Sequence, residues 1–149
     1  MEQDRWTEHR QRRRTHVRMS PPEPIPQATE EVARNVVDAA YSVHSTLGPG
    51  LLESVYETCL ARELAKREIA FKRQVDLPVV YDGVRMDAGL RLDLLVEDVV
   101  VVEIKAIEAL IPVHMAQVLT YLKLSGRRLG LLINFNVPVI KDGIRRIVL

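Results

Sequence analysis

Hydrophobic residues along the chain first recur with helical spacing. From Thr29 onwards, apolar positions three and four residues apart predict a helix with Thr29 as its N-cap. Glycine and proline in the segment Gly48-Pro49-Gly50 end this helix. A second helix is expected from Leu51 to Arg67. Its buried stripe is predicted to comprise Leu52, Val55, Cys59 and Leu64.

Short apolar runs then predict a sheet. β-Branched and aliphatic residues indicate buried strands, and the pair Asp82-Gly83 predicts a hairpin turn. The predicted strands cover Phe71–Leu77, Val79–Tyr81, Val84–Met86, Leu90–Val96, Val99–Ala106, Leu129–Phe135 and Ile144–Val148. A third helix is expected from Pro112 to about Leu124, with Gly126 ending it. This order of elements predicts an α/β fold with helices around a central sheet.

Three charged residues interrupt the two most apolar strands. Asp93 lies in one of them, and Glu103 and Lys105 lie in the next. A charge in a buried strand costs several kcal/mol unless it is paired or bound to a metal. Two carboxylates beside a lysine predict a divalent-metal site that hydrolyses a phosphodiester. The alternative is a buried ion cluster without metal.

The loop between these strands decides whether the three charges share a face. Glu103 and Lys105 are two residues apart and therefore project from the same face of a strand. A two-residue turn at Glu97-Asp98 would put Asp93 on the other face. A loop of about three residues centred on Asp98 would instead place Asp93 opposite Glu103, and a β-bulge would do the same. We predict the three-residue loop.

Composition and charge narrow the functional classes. The 149 residues are 47% hydrophobic, which predicts one globular domain. No stretch approaches the ~20 apolar residues that span a membrane, so a cytoplasmic location is expected. The one cysteine, Cys59, excludes an internal disulfide and is expected to be a buried thiol.

The basic residues are unevenly distributed. Residues 1–28 contain six arginines and four acids, whereas residues 29–149 contain 15 basic and 16 acidic residues. We therefore expect a flexible, basic and proline-rich arm over 1–28 and a domain over 29–149. That domain has no overall basic excess, so any contact with nucleic acid must be local. The candidates are Lys72-Arg73, Arg127-Arg128 and Arg145-Arg146. Solvated charges that prevent edge-to-edge pairing of strands would explain these residues equally well.

The charged strands carry a resemblance to a known group of enzymes. An acidic residue on one strand followed by Glu-x-Lys on the next resembles the motif of the PD-(D/E)XK nuclease superfamily, with Asp93 and Glu103-Ile104-Lys105 at those positions. The chain also resembles a bacterial branch of that superfamily, the GxxExxY proteins. The further matching positions are Gly50, Glu53, Tyr56, His114-Met115-Ala116-Gln117, Tyr121 and Gly130-Leu131-Leu132-Ile133-Asn134-Phe135.

The resemblance covers roughly residues 30 to 149 and implies a restriction-endonuclease-like αβββαβ core. Asp93 and Glu103 would bind Mg²⁺ or Mn²⁺, and the resemblance adds Glu53 and the carbonyl of Ile104 as ligands. Lys105 would hold the attacking water or stabilise charge on the phosphate.

Polar residues on the third helix are expected to border this site. His114, Gln117 and Tyr121 share one face at i, i+3 and i+7. Gln117 would bond a phosphate or the catalytic water, and Tyr121 would do the same or stack on a base. His114 is a candidate substrate contact, although a lone histidine is more often structural. Tyr56 either orients Glu53, contacts substrate or belongs to the core.

These observations predict a metal-dependent nuclease that acts on DNA ahead of RNA. Arg127 and Arg128 would help to hold the substrate. The rival interpretation is a non-catalytic nucleic-acid-binding or protein-interaction module with the same fold. A homodimer or a protein partner stays open, as do sequence preference and exo- or endonucleolytic action.

Overall fold

The computed structural model describes residues 21–149. Most of the predicted basic arm, residues 1–20, lies outside them. No helix among the described residues is long and apolar enough to cross a bilayer. The elements, in chain order, are α1 (Gln27–Leu47), α2 (Glu53–Lys66), β1 (Phe71–Asp76), β2 (Val79–Tyr81), β3 (Val84–Met86), β4 (Arg91–Val96), β5 (Val100–Lys105), α3 (Pro112–Ser125), β6 (Leu129–Asn134), a 3₁₀ helix (Ile140–Gly143) and β7 (Ile144–Val148).

Five strands form the central sheet in the order β1-β4-β5-β6-β7. Strands β5 and β6 are parallel and are joined through α3, whereas the other neighbouring pairs are antiparallel. Strands β2 and β3 form a separate two-stranded hairpin between β1 and β4. This mixed sheet flanked by helices confirms the predicted fold class and its αβββαβ order.

The sheet separates two apolar cores. Helices α1 and α2 pack on one face, where Val36, Leu60 and Ile104 are completely buried. Helix α3 packs on the other face, where Val118 and Leu122 are completely buried. At roughly 25 cal/mol per Å² of apolar surface, burial of this kind is the main force that assembles the layers.

Two predictions about the first helices were wrong. Helix α1 begins at Gln27, after Pro26, so Thr29 lies buried inside the helix and is not its N-cap. In α2, the predicted stripe of Leu52 and Val55 is exposed. The buried stripe lies one residue further along, at Tyr56, Glu57, Leu60, Ala61 and Leu64. The ring of Tyr56 stacks on Phe135 at a centroid distance of 4.7 Å, which fixes the rotation of α2.

The alternation of side chains breaks near the middle of β4. Leu92 packs in the core beneath α3, but Leu94 packs in the core beneath α1 and α2. Residues two apart share a face in a regular strand, so β4 changes face at the intervening Asp93. This irregularity coincides with the charged residue of the strand.

Candidate active site

The site is built where β4 and β5 separate. Their ladder pairs Leu94 with Val102 and Val96 with Val100, which confirms a three-residue loop centred on Asp98. Both Glu97 and Asp98 have positive φ, at 50° and 60°, as a tight connection demands.

Asp93 lies at the point where the ladder ends. Its Oδ2 accepts a hydrogen bond from the backbone amide of Ile104 at 2.8 Å. The carboxylate thus takes the place of a backbone partner and holds the two strands together where they diverge. Burial raises the pKa of Asp93, and the negative charge of Glu57 raises it further, whereas the bond from Ile104 lowers it.

Glu103 is a buried carboxylate with one unsatisfied oxygen. It is only 6% exposed, and its Oε2 is buried without a hydrogen-bond partner. Its Oε1 lies 3.5 Å from Nζ of Lys105. Burial first, and then the nearby charge of Asp93, raise the pKa of Glu103 to about 8 despite the opposing effect of Lys105. A buried carboxylate oxygen without a donor needs a cation or a proton.

Lys105 is oriented by α3. Its Nζ donates to Oε1 of Gln117 at 3.1 Å, and Nε2 of Gln117 donates to the hydroxyl of Tyr121 at 2.9 Å. Gln117 therefore lies beside Lys105, on the helix face that was expected to border the site. The apolar stripe of Val118 and Leu122 faces the core.

Glu53 borders the site from the first turn of α2. Burial raises its pKa, as does the charge of Asp93, whereas Lys105 lowers it. The preceding turn is fixed by the hydroxyl of Tyr56, which donates to the carbonyl of Gly48 at 2.7 Å and accepts from the amide of Leu51 at 3.1 Å. Gly48 and Gly50 both have positive φ, which glycine adopts without steric cost.

The donor set suits a hard divalent cation with a small number of protein ligands. Asp93 and Glu103 offer carboxylate oxygens, and the unpartnered Oε2 of Glu103 has free lone pairs. Among residues 21–149, no group of three or more histidine, cysteine or acidic side chains is arranged to hold a metal ion. Mg²⁺ usually keeps several waters and binds through one or two carboxylates, so two carboxylates suffice. This geometry does not place Glu53 in a three-carboxylate group.

Comparison with known proteins identifies a family for this chain. The model of the PD-(D/E)XK nuclease superfamily matches residues 30–147. The chain belongs to the PD-(D/E)XK nuclease superfamily. No curated protein and no solved structure matches the chain.

Three predicted substrate contacts have surroundings that differ from those expected. Tyr56 is completely buried, and its hydroxyl bonds to the backbone of the turn before α2. It is therefore a core residue and not an exposed substrate contact. Tyr121 is 8% exposed, which leaves no ring face on which a base could stack. Nδ1 of His114 accepts from the amide of Ile111 at 2.9 Å, so this side chain caps the start of α3.

Arg127 and Arg128 lie at the opposite end of the β5–β6 ladder from Lys105. They precede Leu129, which pairs with Val100, whereas Lys105 pairs with Asn134 at the other end of the same ladder. This separation is roughly 16 Å at about 3.3 Å per strand residue. Arg127 is bound to Asp98 at 2.7 Å, and Arg128 donates to the carbonyl of Glu23 at 2.5 Å. The register therefore gives no support to the predicted role of this pair in holding substrate, and that role stays a prediction.

The other candidate basic pairs are also partly engaged. Arg73 is bound to Glu57 at 2.8 Å, and Arg146 is bound to Glu30 at 2.5 Å. These contacts reduce the positive charge that either arginine presents to a phosphate backbone.

Three polar residues near the site were missed by sequence reasoning. Asn134 is 1% exposed, and its side chain bonds the amide and carbonyl of Ile107 at 3.1 Å and 3.0 Å, which fixes the chain just after Lys105. A single amide side chain within an apolar strand could have indicated Asn134. Glu57 lies one helical turn after Glu53, a spacing that could have indicated it. Gln74 had no sequence signal.

Proposed function

We propose that this protein is a divalent-metal-dependent nuclease that hydrolyses phosphodiester bonds in DNA, with RNA as the less favoured substrate. We also propose that it belongs to the GxxExxY branch of the superfamily. Gly50, Glu53 and Tyr56 support this branch, because Tyr56 ties down the glycine turn from which α2 and Glu53 begin.

The observation that carries the proposal is the buried carboxylate of Glu103. It has an unpartnered oxygen, a pKa near 8 and a lysine beside it at 3.5 Å. A structural ion pair would satisfy both oxygens, since an unsatisfied buried polar atom costs about 1–3 kcal/mol. A cation bound by Asp93 and Glu103 would satisfy Oε2 of Glu103 and would offset the repulsion between the two carboxylates.

Each residue then has a distinct role. Asp93 and Glu103 hold Mg²⁺ or Mn²⁺, and the carbonyl of Ile104 is a further proposed ligand. The bound cation would polarise the phosphate and favour ionised water. Lys105 holds the attacking water or stabilises charge on the phosphate, and Gln117 orients the lysine through its 3.1 Å hydrogen bond. Glu53 contributes from the rim, through water and not as a third carboxylate of one cluster.

The test is cleavage of labelled single- and double-stranded DNA and RNA in Mg²⁺ and in Mn²⁺, with binding titrations alongside. Lys105 acts mainly on the transition state, so Lys105→Ala should reduce turnover by roughly 100-fold to 1,000-fold with little change in nucleic-acid affinity. Lys123→Ala is the matched control, because it removes an exposed lysine from the last turn of α3. It should leave turnover unchanged.

The same assay separates the alternatives. A wild-type protein that binds nucleic acid but cleaves none of these substrates with either metal would favour the non-catalytic binding module. A protein that neither binds nor cleaves would contradict both nucleic-acid functions and leave a protein partner as the leading candidate.

A further inference from the structure

Two consecutive residues of β1 contact the same carboxylate. Nη2 of Arg73 donates to Oε2 of Glu57 at 2.8 Å, and Nε2 of Gln74 donates to Oε1 of Glu57 at 2.5 Å. Consecutive side chains of a regular strand point to opposite faces of the sheet. The strand must therefore be distorted for both residues to reach Glu57.

The distortion is found at Gln74, where φ is 50°. The ladder between β1 and β4 pairs Arg73 with Leu94 and Val75 with Leu92, but it contains no pair for Gln74. In this register, the residue opposite Gln74 would be Asp93. A left-handed conformation brings a Cβ atom too close to the backbone, so a strained residue lies directly opposite the candidate metal ligand.

Gln74 connects Glu57 to Asp93. Its Nε2 makes a second, longer contact with Oδ1 of Asp93 at 3.4 Å. Since Oδ2 of Asp93 already accepts from Ile104, both oxygens of this carboxylate have a donor. Glu57 is 8% exposed, and its charge is balanced by Arg73. This buried carboxylate holds the side-chain amide of Gln74 in place through its hydrogen bond.

We propose that Gln74, anchored by Glu57 and Arg73, is a positioning residue that sets the orientation of the Asp93 carboxylate for metal binding. This inference rests on the proposed metal-dependent function. The side-chain amide of Gln74 donates to both Glu57 and Asp93. It thus bridges the two carboxylates with a neutral group. The backbone strain at Gln74 is retained because a relaxed strand would turn the amide to the opposite face.

The variant Gln74→Gly separates stability from function. Glycine adopts positive φ freely, which offsets the cost of leaving Oε1 of the buried Glu57 without its donor, so the free energy of unfolding should change little. Loss of a group that orients a metal ligand weakens metal binding by roughly 10-fold to 100-fold. Mg²⁺ and Mn²⁺ affinity is measured by calorimetric titration, and stability is measured by urea unfolding in chelator. Cleavage should show a fall in kcat with little change in KM for DNA.

Glu68→Gly is the matched control. Glu68 also has positive φ, at 57°, but it follows the far end of α2, about 20 Å along the helix from Glu53. This variant should gain stability and leave metal affinity unchanged.

The outcomes distinguish the two proposals. If the wild-type protein binds neither metal, the proposed function fails and the inference fails with it. If the wild-type protein binds metal and Gln74→Gly binds it equally well, the inference alone is overturned. A large loss of stability in Gln74→Gly with unchanged metal affinity would show that Gln74 supports the fold and not the site.

Discussion

Replacing Glu103 with glutamine should change how the stability of the protein depends on pH. In the metal-free protein the pKa of Glu103 is raised from 4.5 to about 8, chiefly by burial and by Asp93. Between these values the folded protein keeps a proton that the unfolded chain has released. Unfolding then releases a proton, so the free energy of unfolding falls as pH rises through this window. Glu103→Gln removes this contribution.

The size of the effect follows from the same values. Each pH unit between the two pKa values corresponds to about 1.4 kcal/mol, so the full window corresponds to at most roughly 5 kcal/mol. The difference between Glu103→Gln and wild type should be small near pH 4 and should reach a few kcal/mol in favour of the variant near pH 8. Loss of the contact with Lys105 adds an offset that is nearly constant with pH.

The assay is urea unfolding in chelator across that pH range. Glu63→Gln is the matched control, because its side chain is partly exposed to solvent and the hydrogen bond from Arg67 lowers its pKa. This control should differ from wild type in the opposite direction, with stability lost at neutral pH and not at low pH. Parallel stability curves for wild type and Glu103→Gln would refute the reasoning, as would a variant that is less stable near pH 8.

Two further predictions concern the metal ligand and the distant arginines. Asp93→Asn keeps an oxygen that can accept from Ile104, so in chelator it should be at least as stable as wild type, but thermal melts should show no stabilisation by Mg²⁺. A large loss of stability in chelator would indicate a structural ion cluster. Joint replacement of Arg127 and Arg128 by alanine should leave DNA affinity, its salt dependence and cleavage unchanged, because both guanidinium groups are engaged far from the site. Weaker binding in filter-retention titrations would place nucleic acid on that end of the sheet.

The central motif was predictable because it depends on local rules. Strand alternation placed Glu103 and Lys105 on one face, and an odd loop at Asp98 set the register that β4 and β5 adopt. The face of α3 that carries Gln117 followed from helical spacing. These inferences needed no knowledge of distant contacts.

The missed features depend on tertiary contacts. The rotation of α2 follows from the stacking of Tyr56 on Phe135, two residues 79 positions apart in the chain, and apolar spacing alone favoured the neighbouring stripe. The role of Gln74 follows from a positive φ inside a strand, which strand patterns do not indicate. The arginines before β6 were assigned by charge, and their distance from the site emerged only with the sheet register.

The most direct test of the metal site is a crystal soaked in Mn²⁺ and measured at a wavelength where manganese scatters anomalously. We predict one strong anomalous peak within about 2.0–2.4 Å of carboxylate oxygens of both Asp93 and Glu103, with Oε2 of Glu103 among the ligands. No peak at this position, or a peak bound only by exposed surface acids, would contradict the account.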